Sequence, residues 1–411
     1  MNINKNYIKV ILIITLLGIF TTGTYIGFNL GPNISWSYYL TNNFEEQNSH
    51  TAISANGEYL VIGSQNDRLY LFHRKSSKPL WIWSSTGDVH DVDISADSNY
   101  IIAGGLNGIA RLFERNSSIA IWNFTTDVSS VAISSDGEYT ALSAGFKLYL
   151  YQRSNSTLLI NGTNAGSNVA ISSDGNYIAA SNLMWGEVYL FNKSSSTPMW
   201  QYNIGDILRD IAIAPNGEFI VTGGQASSPF GCELYLFYKS SSIPQIIYTD
   251  GSIRVIDISQ DGDYIAVGCD DGIYLFNSSS LTRLWKYSFP ENGDTHTIAI
   301  SDDGEYIVAN LWRDPLDGKI DHLLIFNKMS NRTIETLEME SMVNEVAISS
   351  NGNHISVATQ QRAYYINLKN PNIDPYLQIK SIISFSVLGS FVGFGIFGTL
   401  IYIFKLRKKN L

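Results

Sequence analysis

The sequence predicts an all-β chain built from repeated units, and three observations lead to that prediction. A phrase of the form [AD]-I-[SA]-x-[DN]-[GS]-x-[YFH] occurs eight times, with its isoleucines 38 to 48 residues apart. Each copy is followed by short apolar stretches that are separated by turn residues. A period of about 42 residues with four short strands per unit is typical of propeller blades. The sequence therefore predicts an eight-bladed β-propeller. Its repeated isoleucines are Ile53, Ile94, Ile133, Ile171, Ile213, Ile258, Ile300 and Ile348.

The composition narrows the classes of partner. Charged residues make up 16% of the 411 residues and the net charge is −10, with Lys and Arg scattered except in the C-terminal tail. Nucleic-acid binding needs a basic patch, so we expect no nucleic-acid partner. Cys232 and Cys269 are too few for a disulfide scaffold, and the sequence leaves open whether they pair.

Each unit contains the same four predicted strands. The first ends at Ile-Ser, and a D-G or N-G turn then supplies the positive φ that a tight hairpin needs. An apolar second strand and an LYLF-like third strand follow, and after a Ser-rich turn the fourth strand carries two aromatic residues in alternation. Alternation places both rings on one face, which predicts packing between blades. These pairs are Trp81/Trp83, Trp122/Phe124, Trp200/Tyr202 and Trp285/Tyr287.

The two ends of the repeat region predict how the ring closes. The eighth unit stops after its third strand, at residues 363–368. Trp36 and Tyr38, near the N-terminus, match the aromatic pattern of the missing fourth strand. We therefore expect the N-terminal strand to complete the last blade, which leaves no open sheet edge.

Residues 33–368 resemble two families of propeller repeats. The phrase [AD]-I-S-x-[DN]-G-x-Y is similar to the first hairpin of WD40-like units, and the K-S-S-x-P-L-W strand at residues 75–81 is similar to quinoprotein-like repeats of the PQQ type. The G-H and W-D dipeptides of strict WD40 repeats are absent, so the resemblance implies the fold without a subfamily. In WD40-like propellers the strands are lettered a to d from the centre outward. The d–a and b–c connections form the top face, and the a–b and c–d turns form the bottom.

Two apolar segments, residues 10–28 and 382–404, are long enough to cross a bilayer as helices. The first is predicted as a transmembrane helix or signal anchor, with a cleaved signal peptide as the alternative. The second is followed by a basic tail, which favours a cytoplasmic C-terminus over a buried core helix. The predicted segments are a cytoplasmic N-terminus at 1–9, a helix at 10–28, the propeller at 33–368, a linker at 369–381, a helix at 382–404 and a basic cytoplasmic tail at 405–411.

This topology predicts an extracytoplasmic propeller whose top face points away from the membrane. Eight N-x-[ST] sequons agree with the outside placement and predict a glycoprotein. Five of them lie in or beside c–d turns. The sequons are at Asn33, Asn116, Asn123, Asn155, Asn161, Asn192, Asn277 and Asn331.

The sequence gives little support to catalysis. No G-x-S-x-G elbow, H-E-x-x-H pair or phosphate loop is present, and the adjacent cysteines common in quinone-dependent propeller enzymes are absent. The repeated Asp136, Asp174, Asp261 and Asp303 occupy turn positions. We expect no enzyme activity, cofactor or metal site. The alternatives are a quinoprotein-like or hydrolytic enzyme with a central-channel site, which clustered channel acids would favour, and an envelope scaffold.

A binding face is the better-supported expectation. Three consecutive blades place Arg209, Arg254 and His296 four residues before the repeated isoleucine, where they could form an arc that faces anions. Long b–c loops carry aromatic and basic residues, which binding sites favour. The alternative is that these are solvated loop ends. The predicted face binds a protein, a glycan or a small anion, and comprises Met184, Trp185, Arg209, Phe230, Arg254, His296, Trp312 and Arg313.

Overall fold

A computed structural model describes residues 34–40, 48–106, 108–163, 165–225, 232–289, 293–313 and 321–368. These residues form 33 β-strands in eight separate sheets. The two predicted membrane segments, the linker and both tails lie outside these ranges. Within the described residues, no helix has the length and apolar character needed to cross a bilayer.

Eight antiparallel sheets form the blades, and the strands of each are lettered a to d in the order of hydrogen bonding. The first strand in the chain, β1 (Ile34–Tyr39), belongs to the last blade. Blade 1 contains β2 (Ser49–Ile53), β3 (Tyr59–Ser64), β4 (Arg68–His73) and β5 (Trp81–Ser84). Blade 2 contains β6 (Val89–Ile94), β7 (Tyr100–Gly105), β8 (Ile109–Glu114) and β9 (Ala120–Phe124). Blade 3 contains β10 (Val128–Ile133), β11 (Tyr139–Ala144), β12 (Lys147–Gln152) and β13 (Thr157–Thr163).

The middle of the chain repeats this arrangement. Blade 4 contains β14 (Asn168–Ile171), β15 (Tyr177–Asn182), β16 (Glu187–Asn192) and β17 (Trp200–Asn203). Blade 5 contains β18 (Leu208–Ile213), β19 (Phe219–Gly224), β20 (Cys232–Tyr238) and β21 (Gln245–Thr249). Blade 6 contains β22 (Ile253–Ile258), β23 (Tyr264–Cys269), β24 (Gly272–Asn277) and β25 (Thr282–Ser288).

Blade 7 has an interrupted strand a, because two short strands both pair with its strand b. It contains β26 (Gly293–Asp294), β27 (Ile298–Ile300), β28 (Tyr306–Arg313), β29 (His322–Asn327) and β30 (Thr333–Glu338). Blade 8 contains β31 (Val343–Ile348), β32 (His354–Thr359) and β33 (Arg362–Asn367), and β1 is its strand d. The a strands of successive blades contact one another around a ring that closes between β31 and β2. The eight-bladed propeller predicted from the repeat is therefore confirmed.

Ring closure also occurs as predicted. Strand β1 runs antiparallel to β33, and the register places Trp36 opposite Tyr365 and Tyr38 opposite Ala363. The Trp36 indole N–H donates to the carbonyl of Arg74 in blade 1, at 2.8 Å. The N-terminal strand therefore joins blade 8 by its backbone and blade 1 by its side chains.

The repeated Ser-x-Asp-Gly phrase forms the hairpin between strands a and b. In blade 3 the Ser134 hydroxyl donates to Asp136 at 2.6 Å and accepts the N–H of Tyr139, while Asp136 also accepts the N–H of Glu138. The same turn recurs in other blades with Asp or Asn as the acceptor of the serine hydroxyl. This recurrence confirms the turn role predicted for the repeated aspartates. The other Ser–Asp or Ser–Asn pairs are Ser54/Asn56, Ser95/Asp97, Ser172/Asp174, Ser259/Asp261, Ser301/Asp303 and Ser349/Asn351.

Aromatic residues join neighbouring blades, as the sequence predicts. Trp81 in blade 1 donates its indole N–H to the carbonyl of Arg115 in blade 2, and its ring lies 5.7 Å from that of Phe113. The guanidinium of the same Arg115 lies 4.7 Å above the ring of Tyr59 in blade 1. One basic residue at the end of strand c thus contacts two aromatic residues of the preceding blade. The same indole-to-carbonyl bond occurs for the pairs Trp36/Arg74, Trp200/Lys239 and Trp285/Lys328.

Candidate binding face and central channel

Four exposed apolar residues on the top face form what we call the aromatic patch: Phe146, Met184, Trp185 and Ile207. The rings of Phe146 and Trp185 stack with centroids 6.5 Å apart and an interplanar angle of 22°. Phe146, Met184 and Trp185 are 58%, 69% and 66% exposed. Monomeric proteins usually bury such side chains, so an exposed cluster of them on loops points to a binding surface.

The loop that carries Trp185 is fixed by backbone hydrogen bonds. The N–H of Gly186 donates to the carbonyl of Asn182 at 3.0 Å, and the Gly186 carbonyl accepts the N–H of Ile204 at 2.8 Å. A further bond, from the N–H of Leu208 to the carbonyl of Leu183, attaches the next connection to this turn. Met184, Trp185 and Ile207 are therefore presented by two loops that support each other.

Phe146 occupies a backbone conformation that its side chain disfavours. The two-residue turn between β11 and β12 has φ values of 57° at Gly145 and 63° at Phe146. The last residue of the corresponding turn is Asp67 in blade 1 and Gly108 in blade 2, both residue types that tolerate positive φ. A bulky residue there costs about 1–2 kcal/mol. A bulky aromatic residue that is both exposed and held at a positive φ favours a functional explanation.

A second cluster on the same face contains Arg254, Asp294, His296 and Trp312. The Arg254 guanidinium lies 3.1 Å from the Asp294 carboxylate, and His296 Nε2 lies 3.5 Å from it. The His296 and Trp312 rings stack at 5.2 Å. Burial alone raises the pKa of Asp294, but the hydrogen bond from His296 and the charge of Arg254 offset it and hold that pKa below its usual range. An anion at this cluster must compete with Asp294 for both basic groups.

The structure places the sequence-predicted residues in two groups. Met184 and Trp185 belong to the aromatic patch, whereas Arg254, His296 and Trp312 belong to the second cluster. Among the described residues, no hydrogen bond, ion pair or ring contact joins the two groups.

The other predicted residues lie apart from both groups. Arg209 is exposed and forms no ion pair within the described part of the chain. Arg313 is half-buried at the end of β28, where its N–H donates to Asp321. Phe230 lies outside the described residues. Phe146 and Asp294 were not predicted from the sequence. The A-G-F-K segment is the sequence feature that places Phe146 in a turn.

Carboxylates also line the central channel, where they join adjacent blades. Asp91 accepts the N–H of Val92 in its own strand at 2.9 Å and the N–H of Val131 in the next blade at 2.8 Å. Strand a is the innermost strand of its sheet, so the N–H groups that point away from strand b have no backbone partner in the sheet. A side-chain carboxylate of the preceding blade accepts these N–H groups instead. The five carboxylates on strands a that accept a backbone N–H of the following blade are Asp91, Asp93, Asp210, Asp257 and Glu345.

Burial raises the pKa of the four aspartic acids in this set. It brings Asp91 and Asp257 to a pKa of about 7, and Asp93 and Asp210 to a pKa of about 6. Acidic residues clustered in the central channel are the feature that would favour an enzyme. Here each of these four carboxylates already accepts two backbone N–H groups. No group of three possible metal ligands occurs among the described residues.

The bottom mouth of the channel holds a cavity of about 230 Å³. Successive turns around it are linked by backbone bonds, such as Ser350 N–H to the Ala55 carbonyl at 2.9 Å and Ser173 N–H to the Pro215 carbonyl at 2.8 Å. Pro215 has no N–H to donate. The Gln260 amide spans blade 5 instead, by donating to the Ser173 hydroxyl at 2.8 Å. The cavity is lined chiefly by Ile53, Ile94, Ile133, Ile348, Gln260 and Asp302.

Comparison with known proteins agrees with this architecture. The family model described as "WD domain, G-beta repeat" matches residues 77–114 and 244–277. The C-terminal WD40 domain of Sif2 is 15% identical, with a TM-score of 0.63, and the match covers 79% of this chain and 97% of that one. The computationally designed protein Ika8 is 10% identical, with a TM-score of 0.64 and the same coverage. No curated protein matches the chain. The chain is thus an eight-bladed β-propeller in which two segments match the WD40 repeat.

Proposed function

We propose that this propeller is a protein-binding module whose partner docks on the aromatic patch of the top face. The exposed stack of Phe146 and Trp185 is the observation that carries the proposal. WD40 propellers are commonly protein-interaction modules, and large aromatic side chains dominate the energy of such interfaces. The rigid loop of Trp185 is suited to this role, because little of its conformational freedom is lost on binding. The proposal includes the expectation that the propeller is not an enzyme.

The proposed placement is extracytoplasmic, with the propeller anchored in the membrane and the top face directed away from it. The support is the sequence of segments 10–28 and 382–404 and the basic residues that follow the second. Strand pairing adds to this support. Ile34 pairs with Ile366, and Asn367 pairs with His354 beside an a–b turn, so both described chain ends leave blade 8 on the bottom side. Two anchors attached there leave the top face accessible to a partner. If the first segment is not cleaved, both termini are cytoplasmic.

A random-peptide phage library provides a direct test. The full chain in nanodiscs is used to select linear peptides, and the affinity of each selected peptide is then measured by biolayer interferometry for Trp185→Ala and Met184→Ala. Loss of a well-packed aromatic anchor typically costs about 2 kcal/mol or more, so at least tenfold weaker binding is expected for Trp185→Ala.

Two controls locate the site. Ile243→Ala removes an equally exposed apolar side chain from the rim of blade 5 and should leave the affinity unchanged. Trp312→Ala tests the second cluster separately. Peptides whose affinity falls with Trp312→Ala but not with Trp185→Ala would place the site at Arg254, Asp294, His296 and Trp312. Failure to select any binding peptide would favour the envelope-scaffold alternative.

A further inference from the structure

We propose that N-linked glycans occupy the outer rim of the propeller and leave the top face bare. The inference rests on the extracytoplasmic placement proposed above. All seven sequons within the described residues lie at the end of a strand c, in a c–d turn or on a strand d. Among the described connections of the top face, none contains the asparagine of a sequon. These seven are Asn116, Asn123, Asn155, Asn161, Asn192, Asn277 and Asn331.

The local geometry of the rim sequons suits the transfer of a glycan to the asparagine side chain. The side-chain oxygen of Asn192 accepts both the N–H and the hydroxyl of Ser194, and that of Asn155 accepts the N–H of Thr157 at 3.2 Å. A hydrogen bond to the amide oxygen draws electron density from Nδ2 and makes its N–H more acidic. Nδ2 then bonds to the anomeric carbon of a lipid-phosphate-linked sugar, and the proton that Nδ2 releases is taken up by the lipid phosphate. The sugar–phosphate bond breaks, and the lipid phosphate leaves.

Exposed apolar side chains on the rim provide an independent reason for glycans there. Ile119 is 78% exposed and lies three residues after Asn116, and Met329 is 81% exposed and lies two residues before Asn331. Such side chains on a soluble surface promote association between copies. A sugar on the adjacent asparagine covers them. The turns that carry Trp185 and Phe146 contain no sequon asparagine, and the sequon on strand d of blade 3, Asn161, pairs with Tyr149 in the strand that follows the Phe146 turn.

The chain contains its own negative control for this chemistry. Asn327 ends strand c of blade 7, as Asn192 ends strand c of blade 4. Its side-chain oxygen accepts the N–H of Met329 at 3.0 Å, which reproduces the turn of Asn192 and Ser194. The two sites differ in that Met329 has no hydroxyl. Asn327 is therefore expected to stay unmodified, and Met329→Ser is expected to convert it into an acceptor.

Peptide mass spectrometry of the full chain, isolated from the membranes of cells that make it naturally, tests the inference. Glycan mass is expected on the peptides of Asn116, Asn155 and Asn331, and it should disappear at each site in Ser118→Ala, Thr157→Ala and Thr333→Ala. Asn327 should gain a glycan only in Met329→Ser. Unmodified asparagine on all three wild-type peptides overturns the inference, as does modification of Asn327 in the wild type.

Surface labelling separates this inference from the proposed placement. A membrane-impermeant amine reagent is applied to intact cells, where Lys75 and Lys78 report on the exposed side of blade 1. Labelled lysines with unmodified rim sequons overturn the glycan inference alone. Lysines that react only after the membrane is opened overturn both the placement and the glycans. If the sequons carry glycans but Trp185→Ala leaves peptide binding unchanged, only the binding proposal is overturned.

Discussion

The Nε2 atom of His354 lies 3.1 Å from a guanidinium nitrogen of Arg74, at the interface between the last blade and the first. Because a guanidinium nitrogen can only donate, this contact is a hydrogen bond only when Nε2 carries a lone pair, as it does in the neutral imidazole. The other ring nitrogen, Nδ1, lies 2.8 Å from the Tyr365 hydroxyl. Tyr59 occupies the equivalent position in blade 1, beneath the guanidinium of Arg115. The contact across the interface that closes the ring is therefore sensitive to the charge on His354.

We expect acid to weaken this interface. We also expect substitutions that copy the equivalent residues of blade 1 to reduce that sensitivity to acid. Protonation of His354 directs an N–H at Arg74, which removes a hydrogen bond to a charged group worth about 1.5–3 kcal/mol. The double variant His354→Tyr/Tyr365→Leu reproduces the Tyr59 and Leu71 pair of blade 1. Differential scanning fluorimetry between pH 7.5 and 5 should show a smaller loss of Tm in this variant than in the wild type. Equal losses would mean that His354 does not control closure.

The channel carboxylates predict a pH dependence of the opposite sign. Burial raises the pKa of Asp257 from 3.8 to about 7, so the folded state binds more protons than the unfolded state between those values. Its contribution to stability is therefore present at low pH and declines as the pH rises from about 4 through 7. Asp257→Asn removes the titration and should flatten the fall in Tm between pH 5 and 7.5. It also loses one of two accepted N–H bonds, at a cost of about 1 kcal/mol.

Asp303 offers a matched control for this experiment. It is an exposed turn aspartate whose carboxylate accepts a serine hydroxyl and a backbone N–H. Asp303→Asn should lower Tm without changing its slope between pH 5 and 7.5. If Asp257→Asn and Asp303→Asn give the same slope, then Asp257 does not hold its proton in the folded protein.

Replacement of Phe146 by glycine should separate stability from binding. The variant relieves a positive φ that costs a bulky residue about 1–2 kcal/mol, partly offset by the greater freedom of glycine in the unfolded chain. We expect an unchanged or slightly higher Tm, together with at least tenfold weaker binding of the patch-selected peptides. A lower Tm with unchanged binding would show that Phe146 serves the fold.

The glycine of the a–b turn carries a steric requirement that can be measured. A Cβ on Gly175 would lie 2.3 Å from the Tyr139 ring of the preceding blade, and its φ is 69°. Gly175→Ala should therefore cost about 2–4 kcal/mol from overpacking and backbone strain together. Gly145 also has a positive φ, but a Cβ there meets nothing within 4 Å. Gly145→Ala should cost only about 1 kcal/mol by urea denaturation. Equal costs would rule out the contact with Tyr139.

Local patterns allowed the fold to be predicted, but the site depended on contacts between distant residues. The Ser134–Asp136 turn and the alternation of Trp81 and Trp83 are visible in a few consecutive residues. The partnership of Arg254 with Asp294 spans 40 residues, and nothing near Arg254 indicates it. The bond from Asp91 to Val131 likewise depends on how two blades are spaced.

The ring-closing strand also sets an order of events during synthesis. Strand β1 ends at Tyr39 and its partner β33 begins at Arg362, so β1 emerges long before the strand with which it pairs. At about 5–20 residues per second, the delay is roughly 16–65 s. In the folded protein, Trp36 and Tyr38 contact Phe72 of blade 1 at 5.3 and 5.2 Å. Blade 1 therefore offers an apolar surface against which β1 can pack before β33 has been synthesised.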